Sequence, residues 1–303
     1  MKDHQVTEHQ PPWDGMHIGT LLDLDRLEDN VFRSRFSEDN RNGRVFGGQL
    51  LGQALRAAQK TVAAGRAPSA LQVLFAQGAL THLPIEYYVF PLQDGKRFTS
   101  RRVEARQGKR TLIDAHVSFQ VPSDGLDHAL PPYHPVPLPE ELIAMSEMST
   151  RGGSAFADVD WAWFEKPCLE LRVANPESHL LVASATPQTS YWVRLRTALG
   201  DDPTVHASAL AYLSDYWVNT AAISHHVPIR EVIPRYYVAS LNHSLWMHRE
   251  CRADDWLLFS TESPSTQSGR ALTHARIYTR SGTLVASATQ ECLLADRTTM
   301  GGQ

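Results

Sequence analysis

Residues 46–62 read FGGQLLGQALRAAQKTV, and the fold is decided here. Leu50, Ala54, Leu55 and Ala58 fall at spacings that share one helical face, with Gly47 and Gly48 at the start. The periodicity therefore predicts a helix over about 48–62. Downstream the pattern changes. Residues 71–75, 85–92, 98–106 and 111–121 are rich in aromatic and β-branched side chains, and Asp94-Gly95 and Gln107-Gly108 supply hairpin turns. One helix followed by an antiparallel sheet is the expectation for the first half.

Pro-rich text from residue 121 to about 139, and a mixed segment to 185, predict a long connection with some structure of its own. The order then repeats. Residues 191–197 read as a strand, 205–223 as a helix, and 244–247, 256–262, 271–279 and 282–294 as strands. Residues 102–120 and 274–290 each pair a strand, a Gly-containing turn and a strand ending in Gln, a weak internal repeat. The predicted class is α+β, with an N-terminal unit over 16–123, a connection over 124–185 and a C-terminal unit over 186–297. Each unit is expected to wrap an antiparallel sheet around a central helix.

A chain of 303 residues accommodates two such units. With 42% apolar and 20% charged residues and a net charge of −4, it reads as globular, and no field favours nucleic acid. The N-terminal MKDHQVTEHQPPWDG is polar without an apolar run, so a loose arm and a cytoplasmic location are expected rather than secretion. The C-terminal TTMGGQ is not a peroxisomal signal of the S-K-L type. Cys168, Cys251 and Cys292 are too few and scattered for a disulfide framework or a zinc site. The longest apolar stretch, residues 207–223, contains Ser214, Asp215, Asn219 and Thr220, so it predicts a buried helix and no membrane insertion.

Asp215 is the only Asp, Glu, Lys or Arg between residues 205 and 226. A lone carboxylate on a largely buried helix is costly unless something uses it, and an apolar setting suits it to proton transfer. The competing reading is a partly exposed Asp on a polar stripe with Asn219. In SLNHSLWMHRE, Ser240, Asn242, His243 and Ser244 crowd the start of a strand. His243 and His248, five apart, point to opposite faces of a strand, so no metal is expected. Gln290 near the end of the last strand could hold a water without titrating. Gly47 and Gly48 at a helix start could turn backbone N–H groups toward a phosphate or an oxyanion, or simply allow close packing. G-x-S-x-G, P-loop, H-E-x-x-H and D-x-N-x-x-H patterns are all missing from the sequence, which argues against a nucleophile-elbow esterase, a nucleotide or zinc-protease site, and a hydratase.

At these residues the chain resembles the acyl-CoA thioesterase II family, double-hotdog enzymes. RVFGGQLLGQAL at 44–55 and QDGKRFTSRRVEARQGK at 93–109 resemble segments of its first half. YLSDYW at 212–217 resembles the segment with the family's catalytic Asp, ASLNHSLWMHR at 239–249 the segment with its catalytic hydroxyl, and SGTLVASATQE at 281–291 the strand with its catalytic Gln. The resemblance implies a double hotdog that hydrolyses fatty-acyl-CoA without a cofactor. It also implies water held by Asp215, Ser240 and Gln290, substrate contacts at Gly47, Gly48, Gln49, His243 and Ser244, and a homo-oligomer, dimer or tetramer. Asn242 stands where the family carries Asp, and Leu71 and Ala76-Gln77 depart from its first-half pattern. Those departures leave substrate preference open, and an acyl-CoA-binding protein without turnover is the alternative.

Overall fold

The computed structural model describes residues 10–40 and 43–300. The first half supplies strands β1 (Leu24–Glu28), β2 (Val31–Ser34), β3 (Ala67–Phe75), β4 (Glu86–Asp94), β5 (Phe98–Gln107) and β6 (Arg110–Gln120). The second supplies β7 (Leu169–Val173), β8 (Gln188–Leu195), β9 (Tyr236–Met247), β10 (Leu257–Gln267), β11 (Arg270–Thr279) and β12 (Leu284–Asp296). All twelve form one antiparallel sheet in the order β1-β2-β4-β5-β6-β3-β9-β12-β11-β10-β8-β7. The second half of that list is the first read backwards with each number raised by six. The two halves are therefore related by a pseudo-two-fold at the β3–β9 junction, where Leu71 pairs with Leu245. This is a double hotdog, α+β in class.

The helices are α1 (Ile18–Leu22), α2 (Gly47–Gln59), α3 (Met148–Arg151), α4 (Pro203–Ser214), α5 (Thr220–Ser224), α6 (Ile229–Arg235) and α7 (Arg297–Met300). Packed on β4, β5 and β6, α2 also lies against α4, while α5 packs on β8, β10 and β11. The two central helices touch closely because glycines recur one turn apart on α2. A Cβ on Gly48 would stand 2.4 Å from the Tyr212 carbonyl oxygen, and one on Gly52 2.8 Å from that of Ser208. Leu51, Ala54 and Leu55 of α2 and Ala209, Ala211 and Leu213 of α4 are fully buried around that crossing. The connection runs back over the outer face of the second half. Trp192 Nε1 donates to the Pro137 carbonyl at 2.9 Å and Tyr278 Oη to that of Leu130 at 2.9 Å.

Four expectations change. The helix expected over 205–223 stops at Ser214, because Trp217 takes a left-handed backbone (φ 63°), and resumes as α5. The strand expected from 244 begins at Tyr236, since β12 pairs with it as far as Tyr236 and β3 as far as Asn242. The 124–185 connection contains β7, the edge strand of the second half. Of the loose arm, residues 1–9 lie outside the described part, but Gln10 is docked, with Nε2 donating to Ser34 Oγ at 2.8 Å and Oε1 accepting from Ser37 Oγ at 3.0 Å. Among the described residues no helix is long and apolar enough to cross a membrane.

Candidate active site

Because the helix breaks at Trp217, Asp215 becomes the C-cap of α4. Its carboxylate lies at the negative end of one helix and at the start of the other. Gly47 makes this possible, since a Cβ there would sit 2.5 Å from Asp215 Oδ2. Asp215 is 7% exposed. Burial pushes its carboxyl up to about 6, against hydrogen bonds from Gln290, Ser240 and the Gly48 N–H and the attraction of Lys166, all of which favour the charged form. The polar-stripe reading of Asp215 is set aside by that burial.

Ser240 Oγ donates to Asp215 Oδ1 at 2.9 Å, and Gln290 Nε2 donates to Ser240 Oγ at 3.1 Å. The three side chains come from α4, β9 and β12 and meet as one group. A bulge brings Ser240 there. On β12, Glu291 and Cys292 pair with Asn242 and Ser240 of β9, so Leu241 has no residue opposite it. That extra residue turns Ser240 to the same side of the strand as His243, three positions on, whereas strict alternation would separate them.

His243 is fully buried. Its Nδ1 bonds Gln290 Oε1, and its Nε2 lies 2.9 Å from Ser214 Oγ, on the last residue of α4. Burial drives the imidazole down to about 4, despite the bond to Gln290, so the ring is neutral. Ser244, paired with Gln72 and Thr289, points to the opposite face of β9 and does not join the group. Gln49 is buried as well. It accepts from the Glu38 N–H at 2.8 Å and donates to the Phe36 carbonyl at 2.9 Å and to Gln53 Oε1 at 3.2 Å, so its side chain is committed to the interior. Asn242 Nδ2 donates to Glu291 Oε2 at 2.9 Å, on the outer face.

Sequence reasoning missed Lys166, Glu38 and Ser214. Lys166 Nζ, from the connection, lies 2.5 Å from Glu38 Oε1 and 3.4 Å from the Phe46 ring centroid, just ahead of Gly47. Glu38 also accepts from Tyr212 Oη at 2.8 Å. Nothing in the sequence around Lys166 or Glu38 marks them, because each is brought in from far along the chain. Ser214 did carry a signal, as a hydroxyl beside the lone carboxylate of a buried helix.

Residues 139–294 match the family model described as "Acyl-CoA thioesterase C-terminal domain", and residues 36–120 the one described as "Acyl-CoA thioesterase N-terminal domain". Human acyl-coenzyme A thioesterase 8 is 31% identical over 93% of this chain and 90% of its own length. Acyl-CoA thioesterase 2 of Haemophilus influenzae is 28% identical over 90% and 95%. Among solved structures, an acyl-CoA thioesterase II of Mycobacterium marinum superposes with a TM-score of 0.76, at 32% identity over 93% of this chain and 100% of its own.

Proposed function

This chain belongs to the acyl-CoA thioesterase II family and is a hydrolase of acyl-CoA thioesters, and on that premise we propose that Asp215, Ser240 and Gln290 hold and activate the attacking water. The observation that carries the reading is the contact of these three side chains around one buried carboxylate, held at about 6. A base with that value is largely ionised at neutral pH and still returns its proton readily.

The cycle is written with the substrate, one water and these side chains. Asp215 takes a proton from water as the water oxygen adds to the thioester carbon, giving a tetrahedral oxyanion. The oxyanion collapses, the carbon–sulfur bond breaks, and the leaving thiolate takes the proton back from Asp215. Ser240 and Gln290 fix the carboxylate and the water, so that the attack is effectively intramolecular. The start of α2, whose positive end faces this site, favours the negative charge that develops there. In the free protein the Gly48 N–H is bonded to Asp215, so a role for it at the thioester oxygen requires that bond to be exchanged.

A second route has one observation behind it. The Ser240 hydroxyl donates to Asp215 at 2.9 Å, the geometry of an activated nucleophile, which would give an acyl-enzyme and a pre-steady-state burst. Acyl-CoAs of two to sixteen carbons, followed by free-thiol release, test both. We expect turnover without a burst, and a loss of about 10²-fold in kcat for Asp215→Ala, the scale of acid–base catalysis. Unchanged turnover in a folded Asp215→Ala protein rules the mechanism out. Binding of acyl-CoA without thiol release would instead mean a binding protein on this fold.

A further inference from the structure

We propose that His243 is the positioning residue of the hydrolytic site, a buried cross-link that fixes the Gln290 amide and ties it to the end of the helix bearing Asp215. The inference rests on the catalytic reading above. His243 is fully buried and lies directly opposite Gln290 in the β9–β12 register, with both ring nitrogens engaged.

A carboxamide has two faces that differ only in which atom is which, and beside a carboxylate the choice matters. If Oε1 of Gln290 faced Asp215, two acceptors would be opposed. With Oε1 turned to His243, Nε2 donates to Ser240 Oγ at 3.1 Å and to Asp215. One tautomer of the imidazole matches that choice. Nδ1 carries the proton and donates to Oε1, which leaves Nε2 to accept from the Ser214 hydroxyl at 2.9 Å. The Ala211 carbonyl, 2.8 Å away in the last turn of α4, competes for the same proton. The link therefore runs from Ser214 through His243 to Gln290, and one residue beyond Ser214 stands Asp215 itself.

The alternatives are a substrate contact, as the family resemblance implied, or a histidine that merely satisfies the core. Full burial weighs against the first. The second is separated by kinetics. We would measure kcat, KM and the pH profile for wild type, His243→Leu, Gln290→Ala and the double variant, on the fastest acyl-CoA of the series above.

His243→Leu should lower kcat by about 10- to 100-fold, the scale on which a misplaced group loses rate, with KM nearly unchanged. In the Gln290→Ala background the same substitution should cost almost nothing further, because the amide it positions is gone. The acid limb of the profile should move upward, since Asp215 loses a well-aligned donor to its charged form. His243→Asn, whose amide nitrogen can replace Nδ1, should recover most of the rate.

Additive losses in the double variant, a rise confined to KM, or equal rates for the Asn and Leu variants would each overturn the proposal. If His243→Leu does not fold, Ser214→Ala serves in its place, with a several-fold loss expected alone and none beside Gln290→Ala. Full turnover in Gln290→Ala would overturn the catalytic reading and this inference with it. Wild-type kcat in His243→Leu, with Gln290→Ala slow, would overturn the inference alone.

Discussion

At the scale of single residues, Asp215 works against the stability of its own fold. Its ordinary value of 3.8 is raised to about 6 in the folded chain, chiefly by burial. The sign is the reverse of the usual paired carboxylate. The native state holds the proton more tightly, so stability is lost as pH rises from about 4 through about 6, and the penalty is complete above that. A rise of roughly two pKa units corresponds to about 3 kcal/mol. Asp215→Asn should therefore raise the melting temperature at pH 8, with the difference vanishing near pH 4, while kcat collapses; thermal melts at both pH values check it. Three donors converge on the carboxylate, and an Asn amide would set its own N–H against one of them, so the gain should fall short of the full figure. The rate itself should decline below about pH 6 as Asp215 protonates, which a kcat/KM profile of the wild-type protein reads directly.

At the scale of elements, the crossing of α2 and α4 sets the site. Gly48→Ala and Gly52→Ala each place a methyl against a backbone carbonyl of α4, which cannot move aside as a side chain would. Each should destabilise by about 1–3 kcal/mol, the cost of overpacking, seen as a lower denaturant midpoint. Gly47→Ala is different in kind. Its methyl would meet the Asp215 carboxylate and the Phe75 ring rather than backbone, so kcat should fall with a smaller loss of stability. Equal stability losses at all three glycines would contradict this division. The bulge at Leu241 acts on the same scale, since a regular register that paired Leu241 with β12 would turn Ser240 to the other face of the strand, away from Gln290.

At the scale of the whole molecule, one chain carries a pseudo-symmetric pair of units and, among the described residues, a single candidate site. From the junction, Leu71 pairs with Val117 and Leu245 with Ala288. Two residues on, β12 has Gln290 where β6 has the fully buried Phe119, so the twin position is filled with hydrocarbon. The candidate site draws on both halves, because Gly47 and Gly48 of α2 lie against Asp215 while Asp215, Ser240 and Gln290 come from the second unit. Residues from 124 onward, expressed alone, should show no thiol release, and β9 would lose its β3 partner and expose an edge. Adding the first half in trans should restore activity.

How much of this was legible in advance follows physical lines. Local period and turn chemistry placed α2 and β3 to β6 within a few residues, and the lone charge between residues 205 and 226 marked Asp215, because burying an unpaired carboxylate is costly wherever it occurs. The amino-acid order also repeated its elements, which was enough for two units around two helices. What it did not contain was the break after Ser214, the bulge at Leu241, the arrival of Lys166 near the carboxylate with Glu38 as its partner, and the meeting of Ser214 with His243. Those depend on which strand lies beside which and on where two helices touch. Such long-range contacts choose among backbone conformations of similar local energy, and only the tertiary structure decides them.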